Sequence, residues 1–450
     1  MRIKSVFASL LISHLVLSFC VLANGATGTS LSRAELARLA TSPKPSESGP
    51  ALAALRDEGP SGLALLFQVY ADDIARFLDE SGTERASDPK WIRLTTALDK
   101  VSQQRDSYAS GLYWYTDFEK AKAAARASGK PILSLRLLGN LTDEFSCANS
   151  RFFRAVLYPN TQVSAFMRDH FILHWKSVRP VPKVTIDFGD GRKIERTLTG
   201  NSIHYVLDSD GQPIDAIPGL YGPKAFLREL TDAERAFKTI NPVTGADRIL
   251  ALKAYHLAAK RAASTEWQYD ITRAGVAMTA DDSVAESDGS AKSAEQASRV
   301  TVNKAVSELP TIRRTSLVTR PSATSPSDKT AQTPWEAIAA LHDNDVKLDS
   351  SSIALIKSQY RAMALTDDAL SRIVQNLERN LATDTVRNRY LIHSRIHQWF
   401  VDGVAGEDIN ALNERVYARL FLTPSSDPWL GLFSADTYSG LIDGGIVTEK

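Results

Sequence analysis

Gly129-Lys130-Pro131-Ile132-Leu133-Ser134-Leu135-Arg136-Leu137-Leu138-Gly139 is the stretch on which the fold turns. Gly129 suits the left-handed end of a helix, and Pro131 drives the residue before it into extended backbone. The next seven residues, apolar apart from Ser134 and Arg136, predict a mostly buried strand. Upstream, Thr116-Asp117-Phe118-Glu119 is a capping box, and the Ala-rich run to Ser128 favours helix, so a helix feeds the strand directly. Downstream, a loop at Gly139–Ser146 delivers Cys147 to the start of a second helix carrying Phe152, Phe153, Val156 and Leu157. Phe171–Val178 predicts another strand. Val184–Phe188 and Lys193–Leu198, joined by Gly189-Asp190-Gly191, predict a hairpin, and His204–Leu207 with Pro213–Ile217 predict a second one. Gly222-Pro223 then opens a helix through Phe226, Leu227 and Leu230, with proline in the first turn.

Both flanks of this α/β region, which spans 111–240, read as helical. In the N-terminal part, 30–110, Ser32-x-x-Glu35 is a capping box, and Gly62–Leu78 carries an apolar face at helical spacing. A helical extension covers 241–276, with a helix from Ile249 to about Ala263. Aromatic residues then vanish between Tyr269 and Trp335 while Ser, Thr, Ala, Asp and Pro dominate, which predicts a disordered linker over 277–333. Short amphipathic helices at about 335–345, 349–362, 367–381, 384–402 and 407–421 make the last part, 334–450, a small helical domain with a Pro/Gly-containing tail.

Met1–Lys4 carries two positive charges, an apolar run follows to Leu22, and small residues close it in Ala23-Asn24-Gly25-Ala26. That order is an export signal peptide over 1–25, and it predicts a periplasmic or extracellular protein with no stable membrane span after cleavage. A retained anchor fits less well, because the apolar run is short and lacks a stop-transfer flank. The 450 residues carry 53 Lys+Arg against 52 Asp+Glu, so no basic patch of the kind that binds nucleic acid or anionic lipid is expected. Two cysteines, Cys20 and Cys147, are too few for a disulfide scaffold, and signal cleavage leaves Cys147 as the single thiol.

The order helix, strand, Cys-initiated helix, strand, hairpin and final helix resembles the thioredoxin fold. The resemblance rests on Phe118-Glu119-Lys120-Ala121-Lys122 through Gly129-Lys130-Pro131, on Cys147-Ala148-Asn149-Ser150, and on Tyr205-Val206-Leu207-Asp208-Ser209-Asp210-Gly211-Gln212-Pro213. It covers about 111–235, roughly a quarter of the chain, and implies a divergent thioredoxin-like domain between all-α regions. The family's working group is a thiol at a helix N-terminus, where dipole and amides favour thiolate. By position Cys147 matches the first cysteine of the family's Cys-x-x-Cys motif, and Ser150 stands where the resolving cysteine would be. Arg151 and Arg154 would add positive potential. No proline stands in Gly200-Asn201-Ser202-Ile203-His204, where the family places its cis-proline, so Asn201, Ser202 and His204 are the polar groups left to face a substrate. A dithiol cycle is ruled out; a mixed disulfide with a thiol or disulfide of another exported protein is what remains.

Two readings stand for Cys147: a reactive monothiol with His204 as catalytic partner, or a small, partly buried hydrophobe capping a helix. For His204 the second reading is a hairpin side chain facing solvent or core. At the level of the whole protein, the alternatives are thiol–disulfide chemistry with envelope partners or a scaffold that has lost redox work. Neither requires a cofactor or a metal. His393 and His397, four apart on a predicted helix, have a spacing that zinc sites use, but no Glu follows His393 as HExxH requires, and an exposed or interhelical polar pair is the expectation. His170 and His174 share that spacing across a helix-to-strand junction, where it carries no such meaning. No Gly-x-Ser-x-Gly element, P-loop or haem-attachment motif is present, and the turn-rich segment Thr423–Trp429 has no assigned role.

Overall fold

Strand β1 (Ile132–Leu138) is buried along its whole length, as its apolar run predicts, and it organises the chain around it. The computed structural model describes residues 32–79, 87–197, 200–277, 334–360, 363, 365–405, 408–430 and 440–447; the expected signal peptide and nearly all of the expected linker lie outside these. β1 pairs in parallel with β2 (Ile172–Arg179) and antiparallel with β5 (Ser202–Leu207), which pairs antiparallel with β6 (Pro213–Pro218). The result is a mixed four-stranded sheet in the order β2-β1-β5-β6 with helices flanking it. The other hairpin, β3 (Lys183–Asp187) and β4 (Lys193–Thr197), forms a separate two-stranded ribbon.

The local signals around β1 act nearly as anticipated, but the N-cap is Asp117, one residue on from the Thr116 that the expected capping box required. Asp117 caps the Phe118–Ser128 helix by accepting from the Glu119 and Lys120 amides, and Gly129 ends it at φ +70°. Cys147 is the N-cap residue of a short helix, Ala148–Phe152, which runs into a π-turn at Phe153–Leu157 and then the Thr161–His170 helix. Pro223 opens the Pro223–Ile240 helix.

Helix boundaries differ from the periodicity reading in three places. The expected helix over Gly62–Leu78 is two, Pro60–Val69 and Ala71–Asp79, because Tyr70 leaves helical geometry (φ −111°, ψ 23°) and shares a 2.6 Å hydrogen bond with Thr41. The helix expected from Ile249 to about Ala263 runs from Gly245 to Ala274. The break expected near residue 383 is absent: Asp367–Arg387 passes through a π-turn at Asn388–His393 into Ser394–Val401.

One apolar core runs from the N-terminal helices through the sheet into the C-terminal helices. At the junction, Gly219 has φ +74°, and a Cβ there would lie 2.5–2.7 Å from the Asn388 amide, so only glycine lets the chain leave β6 that close to the π-turn. Asn388 Nδ2 donates to the Leu220 carbonyl (2.8 Å), and the Gly222 amide donates to Thr385 Oγ1 (2.8 Å). On the outside of the junction, Arg228 makes a bidentate pair with Asp345 (2.6 and 2.5 Å).

Candidate functional site: a sealed cysteine and a buried histidine cluster

Cys147 follows β1 across the Gly139–Ser146 loop, which hydrogen bonds from several elements hold in place. Its own amide donates to the Leu138 carbonyl (3.1 Å), and Arg154 Nη2 donates to the Asp143 carbonyl (2.9 Å) and Ser146 Oγ (3.2 Å). Arg154 is therefore a buried strut for the loop rather than a charge facing the sulfur, and burial pulls its guanidinium down to about 10. Arg151 likewise turns to the β-ribbon, donating to Thr197 Oγ1 at 2.8 Å.

The Cys147 side chain is 0% exposed. It makes no capping hydrogen bond to the amides of the helix it precedes. Its partners are hydroxyls and a carbonyl: Ser202 Oγ at 2.9 Å, Ser150 Oγ at 3.5 Å and Asn201 O at 3.8 Å. Of the residues anticipated from the sequence, the structure thus gathers Cys147, Ser150, Asn201 and Ser202 into one buried polar pocket. His204 lies on the same face of β5 two residues beyond Ser202, but its Nε2 meets Tyr158 OH (2.9 Å), while Nδ1 has no polar partner. Packed against Phe153 and Phe226, it belongs to the core, and burial holds its pKa down at about 3, which keeps the ring neutral.

A cover for the pocket comes from the far end of the chain. Tyr417, on the Ile409–Arg419 helix, donates to the Asn201 carbonyl (3.0 Å), and Asn201 Nδ2 donates to Thr423 Oγ1 (3.0 Å). Arg179, at the end of β2, donates to the carbonyls of Thr423 (2.8 Å), Asp427 (3.0 Å) and Pro424 (3.2 Å). This is the role of the Thr423–Trp429 turn that the sequence left open.

A second constellation lies at the sheet's β6 edge. Asp215 on β6, His256 on the Gly245–Ala274 helix and His397 on the Ser394–Val401 helix present ligand atoms within 4.8 Å of one another, all buried. His393 joins them, its Nε2 3.1 Å from Asp215 Oδ1 and its Nδ1 3.5 Å from Glu229 Oε2. The pair expected to be exposed or interhelical is therefore interhelical and buried. Burial lowers His256 to about 4 and takes His397 below its ordinary range. For His393 burial works against the charge, but Asp215 and Glu229 outweigh it and the ring titrates above its usual value. Asp215 and His256 escaped notice in the sequence; the available signal was an aspartate in the middle of the apolar strand Pro213-Ile214-Asp215-Ala216-Ile217. His170 and His174 part company: His170 pairs with Glu234 (3.0 Å), and His174 meets Ser134 (2.8 Å).

Comparison with protein-family models, curated proteins and solved structures finds no match to this chain. Among the described residues, no helix is long and apolar enough to cross a membrane.

Proposed function

We propose that the chain is an exported thioredoxin-like scaffold of the cell envelope, periplasmic or extracellular, whose cysteine face is occupied by its own C-terminal helices rather than offered to a substrate. Two features support the thioredoxin-like part: the order of elements around β1, and a cysteine at the start of the helix that follows it. The observation that carries the non-catalytic part is the Cys147 sulfur itself, wholly buried and held in hydroxyl contacts beneath Asn201, which Tyr417 and Thr423 clasp in turn. A thiol must reach a disulfide sulfur along an open line to exchange with it. In this state no such line exists.

Incubating the mature protein with glutathione disulfide and weighing it intact tests this reading. The native protein should stay unmodified while the denatured chain takes up one glutathione. Rapid glutathionylation of the native form, absent in Cys147→Ser, would establish instead the monothiol reading.

That second reading has an observation of its own: the Ser202 hydroxyl, 2.9 Å from the sulfur, stands where it would donate to a thiolate. In it, the Cys147 thiolate attacks a partner disulfide, forms a mixed disulfide and releases the partner's other sulfur as thiolate. With Ser150 in place of a resolving cysteine, an external thiol must then attack the mixed disulfide to release the partner.

A further inference from the structure

The buried cluster at the β6 edge has the makings of a coordination site. His256 Nε2 lies 3.0 Å from the Ile214 carbonyl, which can only accept, so that nitrogen carries the proton. In the neutral ring, Nδ1 is then a bare lone pair pointing inward. What it points at is another histidine nitrogen, His397 Nδ1, at 2.8 Å. One proton must lie between the two nitrogens, held there only by the tautomer of His397. The carboxylate is held in place as well. Tyr255 OH donates to Asp215 Oδ2 (2.5 Å), and Oδ1, which accepts from the Ala216 amide (2.7 Å) and lies 3.1 Å from His393 Nε2, also faces His397 Nδ1 at 3.9 Å.

A carbonyl fixing one ligand's tautomer and a phenol fixing the carboxylate are the outer-shell supports that metal ligands carry. The spacing agrees. Metal–ligand bonds of about 2.0–2.1 Å in a tetrahedron put neighbouring donor atoms about 3.3 Å apart; the distances of 2.8 and 3.9 Å bracket that value. His393 Nε2 lies 3.1 Å from the same Asp215 oxygen and would have to give up that hydrogen bond and its proton to supply a fourth donor.

We propose that Asp215, His256 and His397 bind a divalent transition-metal ion, zinc in the first instance, as a structural site. Two imidazoles and one carboxylate favour a borderline ion over magnesium or calcium, which take oxygen ligands. The ion takes the place of the proton between the two Nδ1 atoms, and that proton moves to Nε2 of His397. The three ligands come from β6, from the Gly245–Ala274 helix and, beyond residues 278–333, from the Ser394–Val401 helix. The ion therefore staples the C-terminal helices to the sheet, a role independent of whether Cys147 is redox-active.

The test uses the full mature chain, stripped with a chelator and titrated with zinc chloride, then with cobalt chloride. The expected result is one equivalent bound, a tetrahedral visible spectrum with Co2+, and a zinc X-ray absorption shell of nitrogen and oxygen at about 2.0–2.2 Å with imidazole scattering. His256→Gln and His397→Gln should each abolish stoichiometric uptake, and Tyr255→Phe should weaken it by roughly 10–100-fold, as outer-shell losses do. Cys147→Ser should leave it unchanged. A folded wild-type chain that takes up no stoichiometric ion overturns the proposal, as does a shell containing sulfur. Should the glutamine variants fail to fold, the absorption shell of the wild-type protein decides alone.

Discussion

Replacing Arg179 with Met should unseal Cys147 without touching it. The guanidinium makes three hydrogen bonds to the Thr423–Asp427 turn, which in turn holds Asn201 over the sulfur. Bonds from a charged donor contribute about 1.5–3 kcal/mol each at most. Arg179 is only partly buried, so solvent screening and roughly 2 kcal/mol of side-chain entropy reduce the total. A net loss of about 2 kcal/mol is a fair figure, and at about 1.4 kcal/mol per tenfold it makes local opening of the turn about 30-fold more frequent. Iodoacetamide labelling followed by mass spectrometry reads this directly, with the denatured chain giving the unprotected rate. The wild type should label slowly and Arg179→Met about 30-fold faster. An equal acceleration by Leu66→Ala, far off in the N-terminal helices, would mean that exposure occurs through global unfolding. The turn would then not be the cover. Fast labelling of the wild type would refute the seal itself.

Four further outcomes follow from the same contacts. Cys147→Ala should cost about 1–3 kcal/mol in urea denaturation by leaving the Ser202 hydroxyl buried without the sulfur, whereas Cys147→Ser keeps a partner for it and should cost less. Gly219→Ala should destabilise the junction with the C-terminal helices, since its Cβ would collide with Asn388 at a left-handed φ; proteolysis of that region should show it first. His342 is raised by its bond to Asp345, and by Asp270, so its stabilisation is complete below the unfolded value near 6.5 and is lost as pH rises through the higher folded value. Melting curves across that window should show a fall that His342→Gln abolishes. Zinc at 100 times its dissociation constant should stabilise the chain by about 2.7 kcal/mol, with no effect on His256→Gln.

The strands and caps were legible because their causes are local. Asp117, Gly129 and Pro223 act on their own neighbours, and the apolar run Ile132–Leu138 can be satisfied only by burial on both faces. Cys147 at a helix start was legible for the same reason. Partial burial was one of its two readings, but the complete seal was not legible, since the residues that form it, Tyr417 and Thr423, stand more than two hundred positions away. Periodicity also overran Tyr70, whose backbone leaves helical geometry while its phenol meets the Thr41 hydroxyl, and it missed the junction at Asn388, where a glycine on another element admits the side chain. In the cluster, the His393–His397 spacing was visible and its meaning was not. An i,i+4 histidine pair acquires a chemical role only from what is packed against it, here His256 and Asp215.

Both constellations depend on the same docking event, and this links them energetically. The C-terminal helices supply His397 to one site and Tyr417 with Thr423 to the other, so any free energy gained at the first is shared with the cover over the second. A ligand that binds only the docked form lowers the population of the open form by the factor 1 + [L]/Kd, about 100-fold at 100 times the dissociation constant. If Cys147 is reached by undocking of the whole C-terminal region, its labelling rate should fall by that factor when zinc is added and recover with a chelator. If it is reached only by fraying of the Thr423–Asp427 turn, zinc should leave the rate unchanged while Arg179→Met still raises it. The two routes make opposite statements about whether metal guards the thiol, and a single rate, measured with and without zinc in the wild type and in Arg179→Met, separates them.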